Sequence, residues 1–132
     1  MTIAAIDYGT RRLGLAATDT AGLLVYPAGV IERHSLKRDL AILSKRLNEL
    51  EATRVIVGLP LNMDGSTGPA ARAAVLFAQH LREATDLEVE LYDERLTTFE
   101  AQERLKTGWR RRRGTPPDAA AAVVILESWL RR

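Results

Sequence analysis

Four acidic side chains stand where apolar runs break off: Asp7 in IAAIDYGT, Asp93 and Glu94 in LYDERLTT, and Asp118 in TPPDAAAAVV. A carboxylate taken out of water needs a partner, a proton or a metal, and the run ahead of Asp7 supplies no counter-charge. Taken singly, each acid has a structural reading. Asp7 would cap the bend at Gly9, Asp93 and Glu94 would favour the dipole of a following helix, and Asp118 would do the same inside the last one. Taken together, acids that meet would repel one another and call for a cation. Carboxylate oxygens select hard ions such as Mg²⁺ or Mn²⁺ and leave coordination positions open for phosphate oxygens and water. In such a site one ion activates water and another stabilises the leaving oxygen of a phosphodiester.

The acids can meet only if the elements that carry them end at one place. TIAAIDY and LGLAATD read as strands joined by the turn GTRR, and LLVYPAGVIER as a third whose Pro27 marks an edge or a bulge. SLKRDLAILSKRLNEL follows as a helix with Ser35 as N-cap and Leu36, Leu40, Leu43, Leu47 and Leu50 at helical spacing. RVIVGLP is an apolar run suited to a strand buried on both faces. NMDGSTG is turn chemistry, with Ser66 or Thr67 as N-cap of an Ala-rich helix that has Pro69 in its first turn. LEVELYDE is a strand, TTFEAQERLKTG a short helix with Thr97 and Glu100 at capping-box spacing and Gly108 as its stop. TPPDAAAAVVILESWLRR closes the order as a helix with Thr115 as N-cap and Pro116 at its first position. The order βββαβαβαα predicts an α/β fold with a mixed sheet whose first three strands form a meander.

Within this scheme Ile3, Ala5 and Asp7 share one face of the first strand and Ala4 and Ile6 the other, so both faces are apolar and Asp7 is expected to point from a central strand into a cleft. Asp118 shares a helix face with Ala122, Ile125 and Trp129, so it is expected to face protein.

The 132 residues, 46% hydrophobic, fit one domain spanning 1–132 with a real core. There is no cysteine, which excludes a disulfide framework and thiolate metal sites. No apolar run approaches the roughly 20 residues that cross a bilayer, and MTIAAIDYG lacks the pattern of a signal peptide, so a cytoplasmic protein with no membrane role is expected. The net charge of +2 excludes a surface that coats polyanions indiscriminately. Arginines instead bunch at Arg11 and Arg12, at Arg110, Arg111, Arg112 and Arg113, and at the C-terminal pair. Guanidinium groups ahead of the Asp118 helix would grip a nucleic-acid backbone bidentately. Trp109 reads as a packing residue before a base-stacking one, and neither His34 nor His80 has a second histidine at ligand spacing.

Four segments, AIDYGTRRLGLAATD, VIVGLPLNMDGSTG, LYDERLTTFEA and DAAAAVVILESWL, together resemble the YqgF/RuvX family of RuvC-like nucleases, described as pre-16S ribosomal RNA nucleases or Holliday-junction resolvase homologues. They span nearly the whole chain in order, and GLPLNMDGS together with DERLTT is the specific combination. The resemblance implies a ribonuclease-H-like fold: a mixed central five-stranded sheet, an antiparallel three-strand meander and then two strands, flanked by helices. It implies a site with Mg²⁺ or Mn²⁺ held by Asp7, Glu94 and Asp118, with Asp93 beside them as a further catalytic acid. Substrate contacts are expected from Arg11, Arg12, Asn62 and Ser66, from Arg95 and Thr97 in the DERLTT segment, and from Arg110 to Arg113. RuvC resolvases carry a glutamate on the strand that here reads VIVGLP, so here the second acid falls on YDER. Where relatives have a basic and a small apolar residue before the last-helix aspartate, this chain has Pro116 and Pro117.

The implied activity is a divalent-metal-dependent endonuclease acting on structured or single-stranded RNA, above all precursors of ribosomal RNA. Alternatives are a resolvase of branched DNA, for which RuvC-like homodimers cut two strands symmetrically, and a non-catalytic nucleic-acid-binding factor for ribosome maturation or transcription. A reading of DYGT as the phosphate loop of an actin-like ATPase ranks last, because that fold needs a second domain to close over nucleotide.

Overall fold

The computed structural model describes residues 1–97 and 115–132 of the chain. Its strands are β1 (Thr2–Tyr8), β2 (Arg12–Thr18), β3 (Val25–Glu32), β4 (Ala52–Leu59) and β5 (Glu88–Asp93). Its helices are α1 (Leu36–Glu49), α2 (Pro69–Ala84) and α3 (Pro117–Arg131), with a 3-10 turn at Glu94–Leu96. The helix expected in TTFEAQERLKTG, with Glu100 and Gly108, lies outside the described residues, as do Trp109 and Arg110 to Arg113.

The strands form one sheet in the order β3-β2-β1-β4-β5. The β1–β2 and β2–β3 pairs are antiparallel, and β1–β4 and β4–β5 are parallel. This is the expected meander followed by two strands. β1 is central, and the three parallel strands β1, β4 and β5 all deliver their C-terminal ends to one edge. In open α/β sheets that edge is where ligands bind. Pro27 sits where its missing N–H matters least, on the edge strand β3, beside a shift of register between the Leu15–Gly29 and Ala16–Pro27 pairs.

The two faces of the sheet are covered differently. Ala4, Ile6, Leu13, Leu15, Val55 and Val57 pack under α1 and α2 with Leu43, Leu47, Phe77 and Leu81. Ala5, Ala16, Ile56 and Tyr92 pack under α3 with Ala122, Val123, Ile125 and Trp129. Full burial of each large aliphatic contributes roughly 1.5–3 kcal/mol. Alanines on both sides of the second interface let α3 approach the sheet closely, which matters at its N-terminus.

Three local expectations are corrected. Leu36, expected in the apolar stripe of α1, is 43% exposed: it is the first residue of the helix, and the leucines that α1 buries, Leu43 and Leu47, come later in it. Neither Ser66 nor Thr67 caps α2; the N-cap is Gly68, which makes no side-chain cap bond, and the Ser66 hydroxyl bonds within its own loop. The N-cap of α3 is Pro116 in place of Thr115, with Pro117 at the first helical position, where a proline loses no hydrogen bond. Ser35 does cap α1, accepting from the Arg38 N–H at 3.2 Å.

Candidate active site

Asp7 is the penultimate residue of β1 and lies on the α3 side of the sheet, two residues after the buried Ala5. Its registered partner across β2 is Gly14. The missing side chain at Gly14 seats α3. A Cβ built there would lie 1.9 Å from the Asp118 carbonyl oxygen and 2.9 Å from the Ala119 nitrogen, so the first turn of α3 rests directly on the β2 backbone. That seat brings the Asp118 carboxylate up to Asp7. Burial first, and then the charge of Asp118, pushes Asp7 up to about 6. Asp118 is also paired with Arg12 at 3.7 Å.

Glu94 reaches the same place from the other side. It follows β5 in the 3-10 turn, and its side chain crosses over β4 at Gly58, where a Cβ would stand 3.1 Å from Glu94 Cδ and 2.7 Å from Ile125 Cδ1. Gly58 comes one residue after Val57, the parallel partner of Ile6, so it flanks Asp7 on β4 as Gly14 flanks it on β2. Burial first, then the charges of Asp7 and Asp93, pushes Glu94 up to about 7. Two glycines therefore clear the space on either side of Asp7 into which the other acids come.

Asp93 behaves differently. Its carboxylate accepts from the Arg95 Nε at 3.2 and 3.1 Å and from Nη2 at 2.8 Å, and also from the Arg95 backbone N–H. The Arg95 guanidinium holds it below the usual carboxylate range. Arg95 donates its remaining reach to the Met63 carbonyl at 3.2 Å, tying the DER turn to the loop after β4. Inside that loop Asn62 donates to the Ser66 hydroxyl, and Ser66 donates to Asp64 through both its N–H and its hydroxyl. Thr97 Oγ1 donates to the Glu94 carbonyl at 2.9 Å and closes the 3-10 turn. Asn62, Ser66, Arg95 and Thr97, expected to touch substrate, thus all take part in building the rim. Arg11 and Arg12 are exposed on the turn after β1.

That turn is held from beneath. Arg33 donates to the Gly9 carbonyl at 2.8 Å and to the Tyr8 hydroxyl at 2.6 Å, and its guanidinium lies 4.4 Å from the Tyr8 ring centre, while Tyr8 stacks on Phe77. Gly9 approaches so closely that a Cβ there would lie 2.6 Å from the Arg12 carbonyl oxygen.

The donors at this edge are carboxylate oxygens, half-buried and mutually repelling, which is the chemistry of a hard-cation site. Among the described residues no group of three or more histidine, aspartate or glutamate side chains is arranged to hold a metal ion. The fit is therefore in donor type and charge, with Asp7, Glu94 and Asp118 as the residues that would hold the ion. Sequence reasoning passed over Gly14, Gly58 and Arg33. The available signal was a glycine inside each apolar strand run, LGLAA and VIVGL, which marks a close approach by another part of the chain.

A family model described as "RuvX: Holliday junction resolvase" matches residues 1–132. A protein of Anaeromyxobacter sp. (strain Fw109-5) is 46% identical over 128 residues, covering 95% of this chain and 93% of the relative. One of Myxococcus xanthus (strain DK1622) is 44% identical over 127 residues, covering 95% and 84%. Both bear the name "Putative pre-16S rRNA nuclease". Among solved structures, T. thermophilus RuvC in complex with Holliday junction substrate matches with TM-score 0.66 at 18% identity, over 97% of this chain and 92% of that one. Fowlpox virus resolvase with Holliday junction DNA matches with TM-score 0.60 at 11% identity, over 99% and 97%. At these identities the likeness is one of fold, and the fold is the ribonuclease-H-like one expected.

Proposed function

Because the chain belongs to the RuvX family, we propose that it is a divalent-metal-dependent endonuclease of the cytoplasm that cuts RNA, specifically precursors of 16S ribosomal RNA. What supports the site assignment is that Asp118 is seated on Gly14, the β2 partner of Asp7, and that the Glu94 side chain lies over Gly58 on β4, the strand on the other side of Asp7.

Asp7, Glu94 and Asp118 would hold Mg²⁺ or Mn²⁺. Such an ion supplies a Lewis acid for a phosphodiester oxygen and an activated water at neutral pH. Asp7 and Glu94 must first lose their protons, which happens near pH 6 and 7. Gly14 and Gly58 keep the three carboxylates at one edge, and Arg12, beside Asp118, stands at the rim where it can meet a phosphate. Asp93 acts as a positioning residue: through Arg95 it holds the Asn62–Ser66 loop against the Glu94 turn.

Branched DNA is the second reading, favoured by the family description; on that substrate a homodimer would be needed to cut two strands. Incubating the protein with Mn²⁺ and either a single-stranded 16S precursor fragment or a four-way DNA junction, at equal salt, separates the two. Preferential cleavage of RNA is expected. Cleavage of the junction alone would replace RNA with branched DNA, and cleavage of neither would leave a non-catalytic binding module.

A further inference from the structure

The acids at the active edge repel any polyanion, so a nucleic-acid strand that reaches them must be held by cations nearby. At the opposite end of the sheet the half-buried Arg54 is paired, engaging both Glu88 and Glu90. On the β1–β2 turn and the start of α1 the pattern differs. Arg11, Lys37 and Arg38 are exposed and form no ion pair among the described residues.

These three belong to one framework. The Arg33 N–H donates to the Arg11 carbonyl at 2.8 Å, and the Arg33 guanidinium donates to the Gly9 and Thr10 carbonyls. The buried Asp39 carboxylate accepts from the His34 N–H at 2.9 Å and lies 4.0 Å from Arg33 Nε, fixing the first turn of α1 against the same turn. Arg12, next in the chain, reaches Asp118. Glu32 sits opposite Arg12 in the β2–β3 register and is exposed.

We infer that Arg11, Lys37 and Arg38 form a track for the phosphate backbone, along which RNA runs from the acidic edge over the β1–β2 turn to the start of α1. The inference rests on the nuclease reading and adds to it the direction in which the substrate leaves the site. Lys37 and Arg38 lie on no segment of the motifs that mark the acids, and Arg33 and Asp39 are the residues that keep their helix turn beside Arg11.

The test is the salt dependence of binding to a short fluorescein-labelled single-stranded RNA, read by anisotropy with divalent ions chelated so that binding is seen without cleavage. Each phosphate contact contributes a slope of about −0.7 in log K against log salt for single strands. The double variant Lys37→Gln/Arg38→Gln is expected to flatten the slope by about 1.4 and to weaken binding about tenfold at low salt. Lys45→Gln, exposed farther along α1, is the control for bulk charge and is expected to leave the slope as it is. A double variant with the wild-type slope, in a protein that still binds and cuts RNA, would overturn the track and leave the nuclease reading standing; those cations would then face solvent or an acidic protein. A wild-type protein that neither binds nor cuts RNA would overturn both.

Discussion

Gly58 and Glu94 occupy one space: a Cβ at position 58 would stand 3.1 Å from Glu94 Cδ and 3.2 Å from its Cγ. The acid that β4 lacks at its own C-terminal end is supplied from the neighbouring strand, across a residue with no side chain. Gly58→Ala is therefore expected to displace the Glu94 carboxylate while the fold survives. Cleavage should fall by on the order of 10²-fold, and stability by about 1–3 kcal/mol through overpacking against Ile125. Steady-state kinetics alongside thermal melting separates the two effects.

Gly14→Ala is expected to behave differently, because what its Cβ would meet is backbone. The Asp118 carbonyl and the Ala119 nitrogen cannot move without unseating the first turn of α3. The expected outcome is global destabilisation of roughly 3 kcal/mol or more, seen as a large fall in melting temperature. A stable Gly14→Ala protein with full activity would refute the close seat.

The stability of the metal-free protein should fall between about pH 4 and pH 7. The carboxyls of Asp7 and Glu94 titrate higher in the folded chain, near 6 and 7, than the ordinary 3.8 and 4.5. The folded state thus binds more protons than the unfolded one in this interval, so stability is fully present below the unfolded values and is lost as pH rises through the folded ones. With both groups partly exposed to solvent screening, the loss is on the order of 2 kcal/mol. Melting curves across this range test it, and added Mn²⁺ should restore stability most at the alkaline end. A melting temperature that climbs from pH 4 to pH 7 would contradict the repulsion among the acids.

Asp7→Asn should abolish cleavage, by more than the roughly 10–100-fold that loss of an outer-shell partner of a metal site costs. At pH 8 without metal it should also melt higher than wild type, since the substitution removes a half-buried charge facing Asp118 and Glu94. Greater stability with lost activity is an outcome that a merely structural Asp7 would not produce.

Arg95→Lys is expected to loosen the Asn62–Ser66 loop nearly as much as Arg95→Ala. A lysine cannot supply the fork that holds both Asp93 oxygens while reaching the Met63 carbonyl. Faster amide hydrogen exchange at Gly65 and Ser66 in both variants would be the signature; exchange unchanged from wild type would remove Arg95 from the rim's construction.

Much of this molecule follows from short-range pattern. The alternation around Asp7, the leucine spacing and Ser35 cap of α1, Pro27 at an edge with a register shift, and the apolar line from Asp118 to Trp129 are all written within a few residues of where they act. Side-chain period and turn chemistry are local properties, so the five strands, the helices α1, α2 and α3 and the meander order could be read from the chain. The motif combination likewise carries the family.

What only tertiary structure decided lies between segments far apart in sequence. No local rule says that the first turn of α3 rests on Gly14, that Glu94 crosses Gly58, or that Arg33 ties down the turn beside Asp7. These are close approaches of backbone and side chain made when β1, β4 and β5 lie parallel and α3 closes one face. The same holds for the division of labour in the DER turn: adjacent acids differ because Asp93 meets Arg95 while Glu94 enters an interior already occupied by the charge of Asp7. Charge, burial and partner are properties of the assembled edge, and sequence alone names the residues without fixing which of them will share it.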